Sequence, residues 1–184
     1  MRLKLFFTAL ITLTTLSSFA AEEISFSYTY EGNHGVDFSN MRNGPLSVGE
    51  ISDGRSVESP NTITDNLGGY AADKALTEIV KDALAQGLTK GGAALVDADA
   101  ALTLRGSIVA SEAEIIESNG LESIRLTIRT SIELTNGSRT IWNTVLFGRG
   151  TATVEEGMEQ ALKNAMDRTI SSLVRDTYFQ IEVL

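Results

Sequence analysis

The stretch IRLTIRTSIEL, residues 124–134, constrains this chain more than any other. Ile124, Leu126, Ile128, Ile132 and Leu134 fall on one side of an extended chain, and Arg125, Thr127, Arg129, Ser131 and Glu133 on the other. Side chains alternate faces along a strand, so this period of two describes a half-buried antiparallel strand that needs a covering layer on one side only. Asn136-Gly137 is a tight hairpin signal leading into a strand over 139–152. Its inner face is ambiguous, because Ile141, Val145 and Phe147 compete with Trp142 and Leu146. Upstream, Leu102, Leu104, Ile108 and Ala110 alternate with Thr103, Arg105, Ser107 and Val109. Gly106 is the expected kink or bulge in that strand, and Asn119-Gly120 the turn after it. The region 102–152 therefore reads as a three-stranded meander.

Two amphipathic stretches supply the cover. Ala72, Ala75, Leu76, Ile79, Val80, Ala83, Leu84 and Leu88 recur at helical spacing from residue 71, and Gly91-Gly92 ends the run. Val154, Met158, Ala161, Leu162, Ala165, Met166, Ile170, Leu173 and Val174 form a second stripe, headed by a Thr153/Glu156 capping box. The tail YFQIEVL continues that helix or adds a short strand. Ile24, Phe26, Tyr28 and Tyr30 alternate with Ser and Thr and predict a first strand, and Leu46–Ile51 a short second one. Residues 54–69, with Pro60 and several Gly, Ser and Asn, read as an exposed, mobile loop. Strands with one apolar face and helices with one apolar stripe are satisfied together by an α+β two-layer sandwich, a mostly antiparallel sheet with two helices packed on one face.

Arg2 and Lys4, the apolar run LFFTALITLTTL and the small residues around Ser18-Phe19-Ala20 form a secretory signal peptide over 1–20, with cleavage expected after Ala20. Residues 21–184 are then a single α+β domain. The full chain carries a formal charge of −9, and losing Arg2 and Lys4 makes the remainder more acidic. That balance argues against nucleic acid and anionic membrane surfaces as partners. An exported chain with no Cys points to the bacterial periplasm, since eukaryotic secreted chains of this size more often carry disulfides.

The absence of Cys and a single His exclude thiolate chemistry and His-rich metal sites. His34 with Asp37 reads as a solvated loop pair rather than a base or ligand, and Asp97/Asp99 lacks the oxygen count of a calcium loop. Neither the Gly pairs at 68–69 and 91–92 nor Gly148-Arg149-Gly150 matches a phosphate-binding loop, and no G-x-S-x-G elbow is present. No cofactor, no metal and no catalytic set is expected. The candidate binding residues are Arg105, Arg125 and Arg129 on the polar side of the meander, with Arg139 and Arg149 on the strand of uncertain facing. Guanidinium groups grip carboxylates or phosphates bidentately, and the competing reading is a solvated face of Arg–Glu pairs using Glu112, Glu114 or Glu133. Asp53 and Arg55 are a second candidate pair, with a turn as their structural role. Phe26, Tyr28 and Tyr30 are core first and a binding ledge second.

The segments GEISDGRSVESPNTIT, ALTEIVKDALAQGLTKGGAAL, LTLRGSIV, LTIRTSIELTNGSRTIWN and TATVEEGMEQALKNAMDRTISSL, in this order, resemble the YajG-type envelope lipoproteins of Gram-negative bacteria over most of residues 46–175. That family carries a lipobox Cys, which this chain lacks, so the resemblance implies a free periplasmic protein. It supplies place and fold and no catalytic residues. The function expected is a non-catalytic accessory or binding protein of the envelope that contacts an envelope protein or an anionic ligand. The alternatives are an envelope polymer hydrolase using a carboxylate pair, or a subunit of an oligomer joined through an edge strand.

Overall fold

A computed structural model describes residues 21–33 and 35–184, so the signal peptide and His34 lie outside the described residues. In chain order the strands are β1 (Glu22–Ile24), β2 (Leu46–Asp53), β3 (Thr62–Thr64), β4 (Tyr70–Ala72), β5 (Leu102–Ser118), β6 (Leu121–Asn136) and β7 (Arg139–Thr153). The helices are α1 (Leu76–Lys90), α2 (Gly157–Val174) and α3 (Thr177–Val183). The meander forms as its alternation requires, with antiparallel β5–β6 and β6–β7 ladders. β2 adds to it in parallel, giving the order β2-β5-β6-β7, with α1 in the crossover between β2 and β5.

Leu104, Ile108, Leu126, Ile128, Ile132 and Leu134 all turn to the face that α1 and α2 cover, and all are buried. The same core takes Ile79, Val80, Leu84 and Leu88 from α1 and Leu162, Met166, Ile170 and Leu173 from α2. The fold is α+β, a mostly antiparallel sheet with two helices on one face.

The N-terminal region departs from the pattern reading. Only Glu22–Ile24 pairs as a strand, with β4. Phe26 and Tyr30 are buried, yet residues 25–30 belong to neither sheet. Their peptide groups bond instead to side chains of α1 and of the connection leading into it. The Phe26 amide donates to Asp73 (3.2 Å), the Tyr30 amide donates to Gln86 Oε1 (2.9 Å), and Gln86 Nε2 donates to the Tyr28 carbonyl (3.2 Å). Side-chain partners thus replace the neighbouring strand that the alternation anticipates.

Residues 54–69, expected as an exposed loop, contain the fully buried strand β3 and a short 3₁₀ turn. β3, β4 and β1 form a second sheet in the order β1-β4-β3. Ala72, read as the start of a helical stripe, is the last residue of β4, and α1 begins at Leu76. An isolated buried apolar residue fits either period, so the boundary was ambiguous. The tail becomes the separate helix α3, capped by Asp176, whose Oδ1 accepts from the Phe179 amide at 2.8 Å and from Trp142 Nε1 at 3.2 Å.

The capping box forms reciprocally. Glu156 Oε2 accepts from the Thr153 amide at 2.8 Å, and Thr153 Oγ1 accepts from the Glu156 amide at 3.2 Å. It closes a turn ahead of the helix rather than the helix itself, because Gly157, at φ +77°, intervenes as its first residue. Gly106 is irregular in one of its two ladders only: the β2 pairing shifts between Val48↔Leu104 and Ile51↔Gly106, with the extra residue in β2. Toward β6 it pairs in register with Ile132, and the slip of that ladder falls between Ile108 and Ala110, leaving Val109 as the extra residue.

The facing of β7 is decided by α2. Trp142, Leu146, Gly148, Gly150 and Ala152 turn inward, opposite Leu134, Thr130, Ile128, Leu126 and Ile124. The side-chain position at Gly150 is already occupied by backbone of Ala161 and Ala165, and that at Gly148 by Thr169. Only glycine lets α2 lie this close, so the two glycines lie on the inner side and Val145 and Phe147 are forced outward.

Candidate functional site

Among the described residues the helices leave the opposite face of the four-stranded sheet open. On it, β6 presents Arg125, Thr127, Arg129, Ser131 and Glu133, and β7 presents Asn143, Val145, Phe147 and Arg149. β5 supplies Arg105 opposite Glu133, and then Glu112 and Glu114 beyond the bulge at Val109. That bulge decides the site. In β5, Leu102, Leu104 and Ile108 occupy even positions on the core side, and an unbroken strand would send Glu112 and Glu114 inward as well. The one-residue slip turns them out, where they meet arginines. Arg125 Nη1 donates to Glu114 Oε1 at 3.2 Å, and Arg129 Nη2 to Glu112 Oε1 at 3.0 Å.

The arginines therefore form a row, not a cluster. Arg125 and Arg129 are four residues apart on β6, about 13 Å at the usual rise of a strand, and Arg105 lies level with Glu133 a further four residues along. Among the described residues Arg105 makes no ion pair. It lines an open trough of about 670 Å³ with Glu50, Ser52, Ser107, Ser131 and Glu133. Around the middle of the row lie apolar side chains left in water: Val109 (47% exposed), Val145 (42%) and Phe147 (52%), with Phe147 directly opposite Arg129. The face thus interleaves both charge signs with a small apolar centre.

The surface ion pairs here contribute little to the fold, because solvent screens both partners. The double variant R125A/R129A is expected to unfold in urea within about ±0.5 kcal/mol of the parent, as surface changes do. A loss of several kcal/mol would show that the row is structural.

Asp53 and Arg55 lie apart from this row, at the end of β2. The guanidinium forks onto the carboxylate, with Nε to Oδ1 at 2.9 Å and Nη2 to Oδ2 at 2.7 Å, and its Nη1 donates to the Ile63 carbonyl of β3 at 3.2 Å. The side chains are only 6% (Arg55) and 18% (Asp53) exposed. The Arg55 guanidinium holds the Asp53 carboxyl below the ordinary aspartate range. This is a clamp between the two sheets, with its hydrogen-bonding capacity turned inward.

The aromatic trio is built into the packing, with Phe26 and Tyr30 buried. The Tyr28 hydroxyl donates to Asp167 Oδ1 at 2.6 Å, and burial together with that carboxylate pushes the phenol well above its usual range. Among the described residues no group of three metal-ligating side chains comes together, and no helix is long and apolar enough to cross a membrane. The exposed apolar residues of β7 were absent from the sequence reading; the solvated face of Arg–Glu pairs was its competing reading, and what it lacked was the slip that turns Glu112 and Glu114 outward. The slip shows in the burial along β5, which changes from even positions (102, 104, 108) to odd (113), whereas the sequence itself keeps apolar residues at both parities, Ala110 and Ile116 against Ala113 and Ile115.

No family model matches the sequence, and no curated protein matches it as a relative. Solved structures do share its shape. Protein XCC0632 from Xanthomonas campestris, of the family model DUF330, superposes with a TM-score of 0.62 at 14% identity, covering 87% of this chain and 96% of its own. A minor lipoprotein from Acinetobacter baumannii gives a TM-score of 0.47 at 14% identity, covering 78% of this chain and 96% of its own. The hypothetical protein CT253 from Chlamydia trachomatis gives 0.46 at 10% identity, covering 74% and 96%. The first of these establishes a shared fold; the other two are too distant to add to it.

Proposed function

We propose that this chain is an exported, non-catalytic accessory protein of the bacterial cell envelope, working in the periplasm, and that the open face of its sheet docks against another protein. The observation that carries the reading is the company of Phe147. An aromatic side chain 52% exposed sits on the uncovered face of a sheet, opposite Arg129, which is itself tied to Glu112. An apolar centre within a polar, charge-bearing rim is the anatomy of a protein contact surface. Pairing of Arg125 and Arg129 with carboxylates leaves little unshared positive charge for a free anion, so a protein of interleaved charge suits the face better than a phosphate or a carboxylate ligand. The envelope location draws on the leader-like residues 1–20 and on the resemblance to YajG-type proteins.

The test is a photo-crosslinking amino acid placed at Phe147 or, as the control, at the exposed Lys81 of α1, in the full chain expressed in a Gram-negative host. The expected result is a discrete adduct from position 147 only, in the periplasmic fraction, on a chain whose N-terminus is Ala21. Equal adducts from both positions, or none from 147, would reject the face. A chain that keeps Met1 and stays in the cytoplasm would reject the location.

A further inference from the structure

Among the described residues β7 is the outer strand of its sheet, and its outer edge has a long run of backbone without partners. Successive residues of an antiparallel strand direct their peptide groups to opposite sides. The Thr151 carbonyl is turned away from β6, since it accepts from Asn164 Nδ2 of α2 at 2.8 Å. By the same alternation Arg149, Phe147, Val145 and Asn143 direct their N–H and C=O groups to the free side. Among the described residues none of these groups has a backbone partner outside the sheet. Natural edges are usually shortened, or blunted with Lys or Pro. β7 is 15 residues long and has neither.

We infer that the 143–149 edge of β7 receives an extended segment of a partner polypeptide, apolar at alternate positions and carrying Asp or Glu, as an added strand. Three observations select this occupant. The side chains that flank the edge on the open face, Val145 and Phe147, are exposed and give such a strand apolar neighbours. The 143–149 stretch contributes Arg149 and no carboxylate, and Arg149 is in no ion pair among the described residues, so it offers an unshared positive charge within a chain of net charge −9. Finally, α2 lies directly beneath β7, touching Gly148 and Gly150, and Asn164 closes the far end. A second copy would bring its own α2 to within about one strand spacing, roughly 4.8 Å, where packed helices need about 8–10 Å. A bare extended segment meets no such conflict. The inference builds on the sheet being the contact side of the molecule and specifies how that side is used.

The test is selection of a displayed random heptapeptide library on the purified full chain, followed by binding of the enriched peptides to two variants. Val145→Pro removes one N–H that faces the free edge and leaves the β6 ladder its donors. Arg149→Glu reverses the edge charge on an exposed side chain, so it keeps the test decisive if the proline variant melts early. The expected outcome is enriched peptides with alternating apolar residues and at least one Asp or Glu, binding each variant at least tenfold more weakly than the parent. Peptides without that pattern, binding unchanged by both variants, or no enrichment over an uncoated surface would overturn the inference. So would a dimer in sedimentation that Val145→Pro dissociates, because the occupant would then be a second copy. Failure here with a surviving adduct from position 147 would remove the added strand and leave the docking face standing.

Discussion

Gly150→Val is expected to deprive the chain of its folded state at ambient temperature. A Cβ at this position meets the Ala161 carbonyl and the Ala165 amide, which are backbone atoms of α2 with no rotamer to change. Overpacking a core costs about 1–3 kcal/mol when side chains can shift. Here the helix must move off the sheet, which opens the contact of Ala161, Ala165 and Leu162 with β6 and β7, so a loss above about 3 kcal/mol is expected. Urea unfolding of Gly150→Ala measures the effect of the smaller intrusion, with Arg149→Ala, on the open side of the same strand, as a control within about ±0.5 kcal/mol. If Gly150→Val unfolds at the same urea concentration as the control, α2 does not pack as described.

Arg55→Ala is expected to cost about 3–5 kcal/mol, the usual effect of stranding one member of a buried ion pair. Its guanidinium, 6% exposed, holds the Asp53 carboxylate and the Ile63 carbonyl together. Removing it leaves a carboxylate that is 18% exposed without its counter-ion and releases β3 from the end of β2. Replacing both residues by apolar ones of similar size is expected to cost less than Arg55→Ala alone, since no charge is then left uncompensated. The same pair gives a pH dependence. Arg55 lowers the Asp53 pKa in the folded chain, so the unfolded chain binds this proton more readily. The pair's stabilisation is therefore complete above the ordinary aspartate pKa of about 3.9 and is lost as pH falls through the lower folded value. In the Arg55→Ala variant the acid limb of urea midpoint against pH should flatten. An unchanged acid limb would show that Asp53 is not clamped by Arg55.

Much of this architecture is legible along the chain, and the misses share a cause. The period of two from Ile124 to Leu134 and the stripes at Ile79–Leu88 and Met158–Val174 each reflect one side chain's distance from water, and the core they predict is the core observed; Val154, read as the first residue of the second stripe, instead precedes α2 and is 46% exposed. Phe26 and Tyr30 show the limit: alternate burial is necessary for a strand but does not create one, and here Asp73 and Gln86 take the bonds a strand would make. β3 shows the converse. Three residues are too few for any period to be seen, yet Ile63 is fully buried. The Arg–Glu row was half legible. That Arg125 and Arg129 face outward follows from their neighbours, whereas their meeting Glu114 and Glu112 depends on the slip at Val109.

What the residues settle alone is which side of each long element is apolar, because that is local and repeats with the period of the backbone. From this follow a sheet wet on one side and helices with a single stripe. What tertiary structure alone decides is everything that depends on an approaching neighbour. Ile141, Trp142, Val145, Leu146 and Phe147 offer β7 two faces of similar hydrophobicity, and only the close passage of α2 over Gly148 and Gly150 breaks the tie. That single contact leaves Phe147 in water on an uncovered face, beside a free strand edge. No pattern along the chain contains it, because it is a distance between a helix backbone and a strand backbone.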